Sequence, residues 1–262
     1  MLSREIIDRL SIELYRALRE QKTLSPLTER YPSITIDDAY QVSLGLLEHR
    51  VASGETMTGK KIGITSQVVQ NMFNVQQPDF GFLTDVMQVK NNAKVSIRNR
   101  LIQPKAEGEI AFILNKDLVG PHISEDQVLD ATAFIVPCFE VVDSRIRNWE
   151  IKIEDTISDN ASCGVYVLGD TRIDPRDVDL PNLKMKVYKN GNLISEGMGA
   201  AVQGNPLTAV AWLANTLSRY GIPFKAGETI LSGSLVPLET VKSGDKMHLE
   251  LEQVGTASVS FV

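Results

Sequence analysis

Apolar positions recur at helical spacing in the first fifty residues and in short, strand-like runs over most of the remainder. Between residues 3 and 21, Ile6, Leu10, Leu14 and Leu18 recur every fourth position and Ile7 widens the stripe, which predicts an amphipathic helix. Ser3 offers an N-cap oxygen, and Leu24-Ser25-Pro26-Leu27 breaks the pattern. Thr35-Ile36-Asp37-Asp38 reads as a capping box with Asp in place of Glu. The helix it opens runs through Ala39, Val42, Leu46 and Leu47 and stops near Gly54. Residues 1–56 are therefore expected to form a small N-terminal helical region.

From residue 57 the texture changes. Lys60-Lys61-Ile62-Gly63-Ile64-Thr65 reads as a strand, Val68–Phe73 as a short helix, and Gln77-Pro78-Asp79-Phe80-Gly81 as a turn. Short strands are expected near 109–114, 133–142, 164–168, 184–188, 229–232, 247–252 and 257–261, with Asn190-Gly191 marking a hairpin. One late helix is expected from an Asn205 cap and Pro206 through Val210, Trp212, Leu213 and Leu217 to Gly221. Strands do not alternate regularly with helices, so the expected class is α+β, with a mostly β catalytic domain over 57–262, rather than a doubly wound sheet.

Composition narrows the function. The 262 residues carry 27 Lys+Arg against 33 Asp+Glu, a net charge of −6, with 43% hydrophobic residues. This is an ordinary globular balance, and the acidic sign argues against nucleic acid. No run is apolar enough to span a membrane, and the start lacks the basic and apolar regions of a secretion signal. Cys138 and Cys163 have no CxxC spacing, so reduced thiols in a cytoplasmic protein are expected.

The strongest chemical signal is Glu107-Gly108-Glu109, followed by Ile110-Ala111-Phe112-Ile113-Leu114. In a strand, residues i and i+2 share a face, so both carboxylates point together. Glu140 lies in the apolar run Phe134–Val142, where an unpaired carboxylate is costly. If the three converge, their repulsion calls for a hard divalent cation, Mg²⁺ or Mn²⁺. The other reading puts Glu107 and Glu109 on a solvated edge and pairs Glu140 with Arg145 or another cation.

Lys60-Lys61 is either a solvated pair or supplies one lysine to a pocket, and Asp79 reads locally as a turn-former. Residues 155–164 read as a polar loop before a strand. Gly204-Asn205-Pro206 and Ser232-Gly233-Ser234 are either anion-binding segments or simple caps and turns. His49, His122 and His248 lie outside these segments, which weakens a Ser-His-Asp hydrolase reading. No GxSxG, GxGxxG or P-loop pattern occurs.

Taken together, six collinear motifs resemble the hydratase/decarboxylase branch of the fumarylacetoacetate hydrolase superfamily. They are Gly59–Ser66, Gln77–Gly81, Gln103–Glu109, Phe139–Arg145, Asp159–Gly164 and Gly227–Ser234. The resemblance implies a divalent metal, Mg²⁺ or Mn²⁺, on Glu107, Glu109 and Glu140. It implies Lys61 and Asp79 as proton donor and water-positioning base, and Ser162 and Ser234 as substrate hydrogen-bond donors. The implied reaction is addition of water to 2-hydroxypenta-2,4-dienoate, because Gln77–Gly81, Asn160–Gly164 and Ser232–Leu238 look like the hydratase versions. Decarboxylation of 2-oxohex-3-enedioate is the alternative. The resemblance also implies a homo-oligomer and allows a complex with the pathway decarboxylase. The chain lacks the Thr-Gly-Thr-Pro segment and the His-Glu pair of the C–C hydrolases, against that activity.

Overall fold

The computed structural model describes all 262 residues. The chain opens with α1 (Arg4–Glu20), a single turn α2 (Leu27–Arg30) and α3 (Ile36–Ala52). Both long helices start where their caps require. The Ser3 hydroxyl accepts from the Ile6 amide, and Thr35 and Asp38 satisfy each other's backbone amides reciprocally. The buried stripe of α1 is Ile7, Leu10, Leu14 and Ala17, turned slightly from the Ile6–Leu18 line. It packs on Val42 and Leu46 of α3 and on Ile146 from the middle of the chain. On its other side α3 gives Ala39 and Tyr40 to the main core, so the helices are fastened to the rest of the fold.

The remaining elements are β1 (Met57–Gly63), α4 (Gln67–Phe73), β2 (Asp79–Thr84), β3 (Gln88–Val89), β4 (Lys94–Val95), α5 (Ile97–Arg100) and β5 (Pro104–Leu114). Then come α6 (Glu125–Ala131), β6 (Thr132–Asp143), α7 (Ile153–Ser158), β7 (Cys163–Leu168), β8 (Lys184–Lys189), β9 (Asn192–Met198) and α8 (Pro206–Ser218). The chain closes with β10 (Thr229–Ser234), β11 (Glu239–Thr240), β12 (Lys246–Leu251) and β13 (Gly255–Phe261). The class is α+β, as expected.

One sheet runs β2-β1-β10-β5-β6-β7-β3, with β11 added alongside β5. A second runs β4-β13-β12-β8-β9. The first sheet curls until β2 meets the turn before β7, where the Asn160 side chain exchanges two hydrogen bonds with the Phe82 backbone (2.7 and 2.9 Å). Its outer face packs on the second sheet so tightly that a Cβ on Gly108 would lie 2.4 Å from the Met185 sulfur. Its inner face carries an apolar plug that includes Leu83, Ala111, Val136, Tyr166 and Leu231. Above the plug, toward the start of β5 and the end of β6, the interior becomes acidic.

Three segments depart from the local reading. Asp79, Phe80 and Gly81 are strand rather than turn, because β2 pairs antiparallel with β1. Residues 153–158 are helix rather than loop: Asp155 binds both the amide and the hydroxyl of Thr28, far away in sequence. β5 begins at Pro104 rather than 109, because β6 pairs along its whole length and β11 along its start. The Asn190-Gly191 hairpin and the Asn205-capped helix form as read, the latter ending at Ser218 with Gly221 just beyond.

Candidate active site

The site follows from strand register. Glu107 of β5 and Glu140 of β6 are direct cross-strand partners, and Glu109 lies opposite Cys138. All three carboxylates thus face the interior of the curled sheet, where one oxygen from each lies within 4.8 Å of the others. Like charges directly opposite one another are destabilising, and here they are also removed from water. Glu109 and Glu140 are fully buried, while Glu107 is half-buried. Glu109 Oε2 accepts from the Gly233 amide (2.9 Å). Glu109 Oε1 and both Glu140 oxygens lack any hydrogen bond. Burial and the neighbouring carboxylates hold Glu109 well above the usual carboxylate range and push Glu107 up to about 8. Unsatisfied, converging and hard, this oxygen donor set fits a divalent cation.

Lys61 enters the same space from β1. Its Nζ lies 3.3 Å from Glu140 Oε1, within ion-pair reach but not aligned for a hydrogen bond. Burial opposes its charge, yet Glu140 and Asp79 outweigh burial and raise its pKa, keeping it an ammonium. Lys60, one residue earlier, points the other way, as strand alternation demands. It is buried against Glu228, Nζ to Oε1 2.6 Å, and takes no part in the site.

Asp79 opens β2 opposite Gly63. Its Oδ1 is buried without a partner, and burial lifts its pKa to about 6 against the pull of Lys61. Gly63 leaves the room it needs: a Cβ there would sit 2.3 Å from Asp79 Oδ1 and 3.3 Å from Lys61 Nζ. Gly63→Ala is therefore expected to lower kcat by about tenfold or more through displacement of these two groups. The melting temperature should move far less than the rate, and steady-state kinetics beside a thermal melt tests this.

Of the two serines, Ser234 borders the cluster and Ser162 lies in the turn before β7. The Ser234 hydroxyl lies beside Glu107 and donates to the Val236 carbonyl (2.6 Å). Ser162 is buried with its Oγ 3.2 Å from Thr156 Oγ1. Asn160, Ala161 and Ser162 take three successive left-handed conformations (φ 54, 49 and 54), which cost energy in any non-glycine residue.

Arg145 supplies the restraint. It is fully buried, with Nε 2.5 Å from Asp159 Oδ1 and Nη1 3.0 Å from the Cys163 carbonyl. The alternative pairing of Glu140 with Arg145 is thereby excluded, because Arg145 clamps the turn and Lys61 faces Glu140. The Asp-Ser-Arg segment was visible in the sequence, but its clamping role was not. Arg145→Met leaves Asp159 buried and unpaired, at a cost of about 3–5 kcal/mol. The melting temperature should fall by roughly 10 °C, and a fall of only a degree or two would remove the clamp from this account.

The three histidines lie outside the site. His49 lies tilted beside Tyr15, His122 follows the Gly120-Pro121 bond, and His248 meets Ser258. Cys138 and Cys163 are free and buried. Burial first, then the acid cluster, raises both thiols, so neither is a thiolate nucleophile. No helix is long and apolar enough to cross a membrane.

Comparison with known proteins bears on this site. Residues 52–262 match the family described as fumarylacetoacetate (FAA) hydrolase C-terminal. A 2-hydroxyhexa-2,4-dienoate hydratase of Comamonas testosteroni is 54% identical over 262 residues, covering 100% of this chain and 99% of that protein. A 2-hydroxypent-2,4-dienoate hydratase of Pseudomonas putida is 55% identical over 221 residues, covering 84% of this chain and 100% of that one. Among solved structures, 4-oxalocrotonate decarboxylase from Pseudomonas putida G7, complexed with magnesium and adipate, superposes with a TM-score of 0.97. Its identity is 32%, over 100% of this chain and 99% of that one.

Proposed function

The chain belongs to the fumarylacetoacetate hydrolase family, and from that premise we propose that it is a metal-dependent enzyme adding water to 2-hydroxypenta-2,4-dienoate, giving 4-hydroxy-2-oxopentanoate. The observation that carries the reading is the convergence of Glu107, Glu109 and Glu140, the last two buried with unsatisfied oxygens, beside Lys61 and Asp79. The choice of hydration over decarboxylation follows sequence. Hydratases stand at 54–55% identity, against 32% for the decarboxylase of the same fold. The chain divides into a helical region, 1–56, and a catalytic domain, 57–262, and it works in the cytoplasm as a homo-oligomer, open to association with the pathway decarboxylase.

Glu107, Glu109 and Glu140 would hold Mg²⁺ or Mn²⁺, the ions that prefer carboxylate oxygens and retain open positions. Bound there, such an ion supplies a Lewis acid for the oxygen at C2. The protein's own groups do the rest. The Lys61 ammonium, held charged by Glu140, faces the negative charge that develops when the enol proton leaves. The substrate loses that proton and gains one at C5, giving a 2-oxo-3-enoate electrophilic at C4. Asp79, largely ionised near neutrality, orients water toward C4 and accepts its proton, and a proton is delivered to C3. Hydroxide at C4 and hydrogen at C3 account for the one water consumed. Ser162, and Ser234 once its hydroxyl turns from the Val236 carbonyl, donate hydrogen bonds to the substrate's oxygens.

Purified protein given Mg²⁺ or Mn²⁺ is expected to consume freshly made dienol and form 4-hydroxy-2-oxopentanoate, and to stop when the metal is chelated. Release of CO₂ from 2-oxohex-3-enedioate with the dienol untouched would assign the decarboxylase instead. Full turnover after exhaustive chelation would remove the metal.

A further inference from the structure

Between Asp85 and Glu107 the chain carries five cations, Lys90, Lys94, Arg98, Arg100 and Lys105, and no carboxylate, against a net charge of −6 for the whole. This segment leads to the open end of the curled sheet. Lys105, Glu107 and Glu109 share one face of β5 at successive alternate positions. Exposure falls along that face: Lys105 and Glu107 are half-buried and Glu109 is fully buried. Along this strand face the acid cluster is therefore least buried toward the Lys105 end.

At that end lies a cleft of about 460 Å³, lined by residues that include Ile102, Lys105, Trp149, Val241 and Lys242. Lys105 Nζ sits 4.4 Å from the centre of the Trp149 ring, and the indole N–H donates to the Gln103 carbonyl (2.9 Å). Asn148 and Trp149 are both left-handed (φ 54 and 57). For a bulky side chain this conformation is an outlier that persists only where the surroundings impose it.

Glu107 lies deeper on the same face and forms no ion pair with Lys105, and the other nearby carboxylates are engaged elsewhere. Asp143 is buried and accepts from the Ile102 and Gln103 amides, Glu239 and Asp245 pair with Lys189, and Glu150 pairs with Arg147. Lys105 and Lys242 thus face the cleft without an acidic partner, above an aromatic floor.

We propose that this cleft is a capture site for small organic carboxylates, holding the anionic end of an incoming substrate at the mouth before it passes to the acid cluster. It rests on the reading of the substrate as a 2-hydroxydienoate, a monoanion. An acidic protein repels such a molecule over most of its surface, and a local patch of unpaired cations reverses that repulsion where the interior opens.

The test uses the full-length, Mg²⁺-loaded protein and the double variant Lys105→Gln/Lys242→Gln. At about 20 mM salt the variant is expected to lose about fivefold in kcat/KM for 2-hydroxypenta-2,4-dienoate, the loss falling on KM. At about 0.5 M salt the difference should vanish, because the field is screened.

A second readout does not depend on turnover. In a Trp212→Phe background, Trp149 is the only tryptophan, and its fluorescence is quenched with iodide and with neutral acrylamide. Removing the two lysines should reduce iodide quenching at least about twofold and leave acrylamide quenching unchanged. Equal iodide quenching with and without the lysines overturns the capture site. So does a Trp149 shielded from both quenchers, which would assign this face to contact between copies of the chain. Iodide quenching that depends on the lysines, in a protein that leaves the dienol untouched, upholds the cleft and overturns the substrate reading alone.

Discussion

Glu109→Gln is expected to lower kcat/KM by about a thousandfold or more and to abolish the thermal stabilisation that a divalent ion gives the wild type. The substitution is nearly isosteric, and the amide oxygen of glutamine can still accept from the Gly233 amide as Glu109 Oε2 does. What it removes is one of three anionic ligands. A Lewis acid at a developing oxyanion contributes several kcal/mol. At 1.36 kcal/mol per factor of ten, about 4 kcal/mol corresponds to the stated loss. Metal bound at a hundredfold excess over its Kd stabilises the folded state by about 2.7 kcal/mol, or roughly 5–10 °C for a chain of this size.

The metal-free proteins should behave in the opposite sense. Glu109 is buried beside Glu107 and Glu140, and these surroundings disfavour its charge. Without metal the variant should therefore melt no lower than the wild type. Scanning calorimetry with and without Mg²⁺ reads both quantities. A variant that keeps its metal-induced shift, or that is markedly destabilised without metal, would sink the assignment of Glu109 as a ligand.

What the sequence made legible was local. The caps at Ser3, Thr35–Asp38 and Asn205–Pro206, and the Asn190-Gly191 turn, each fix structure within a few residues, and all form as read. Alternation on β5 was legible too, because Glu107 and Glu109 must share a face whatever surrounds them. What escaped a local reading depends on partners distant in sequence. Pro78-Asp79-Phe80-Gly81 has turn composition, but β1 and the side chain of Asn160 supply strand pairing that propensity cannot register. Residues 155–158 are polar enough to read as loop until the Thr28 amide and hydroxyl bind Asp155 from the N-terminal region. The pairing of Arg145 with Glu140 was plausible by proximity in sequence. It fails because Glu140 points inward from β6, whereas Arg145 lies beyond the strand's end and turns to Asp159. In each case the missing term is a hydrogen-bonding partner that only the tertiary fold brings into reach.

Asp79→Asn is expected to reduce kcat/KM by about a hundredfold to ten-thousandfold, the range for loss of a positioned general base, and to flatten the acid limb of the pH profile. The carboxyl is 2% exposed, its Oδ1 has no hydrogen bond, and burial raises its pKa to about 6 despite Lys61 nearby. A base works as the carboxylate. Wild-type kcat/KM should thus fall about tenfold per pH unit below the pKa and level off above it. The limb should lie at about pH 6, or lower once a cation neutralises Glu140, one of the charges that raises Asp79. Asparagine has the same shape and no titrating proton, so the variant should be slow and flat between about pH 5 and 8. Lys61 then remains paired with Glu140, and the metal-induced melting shift should survive, which separates loss of the base from loss of the metal. A variant that keeps the acid limb at its original position would transfer the base to another group. A wild type with a flat profile across this range would show that Asp79 does not titrate in the working enzyme.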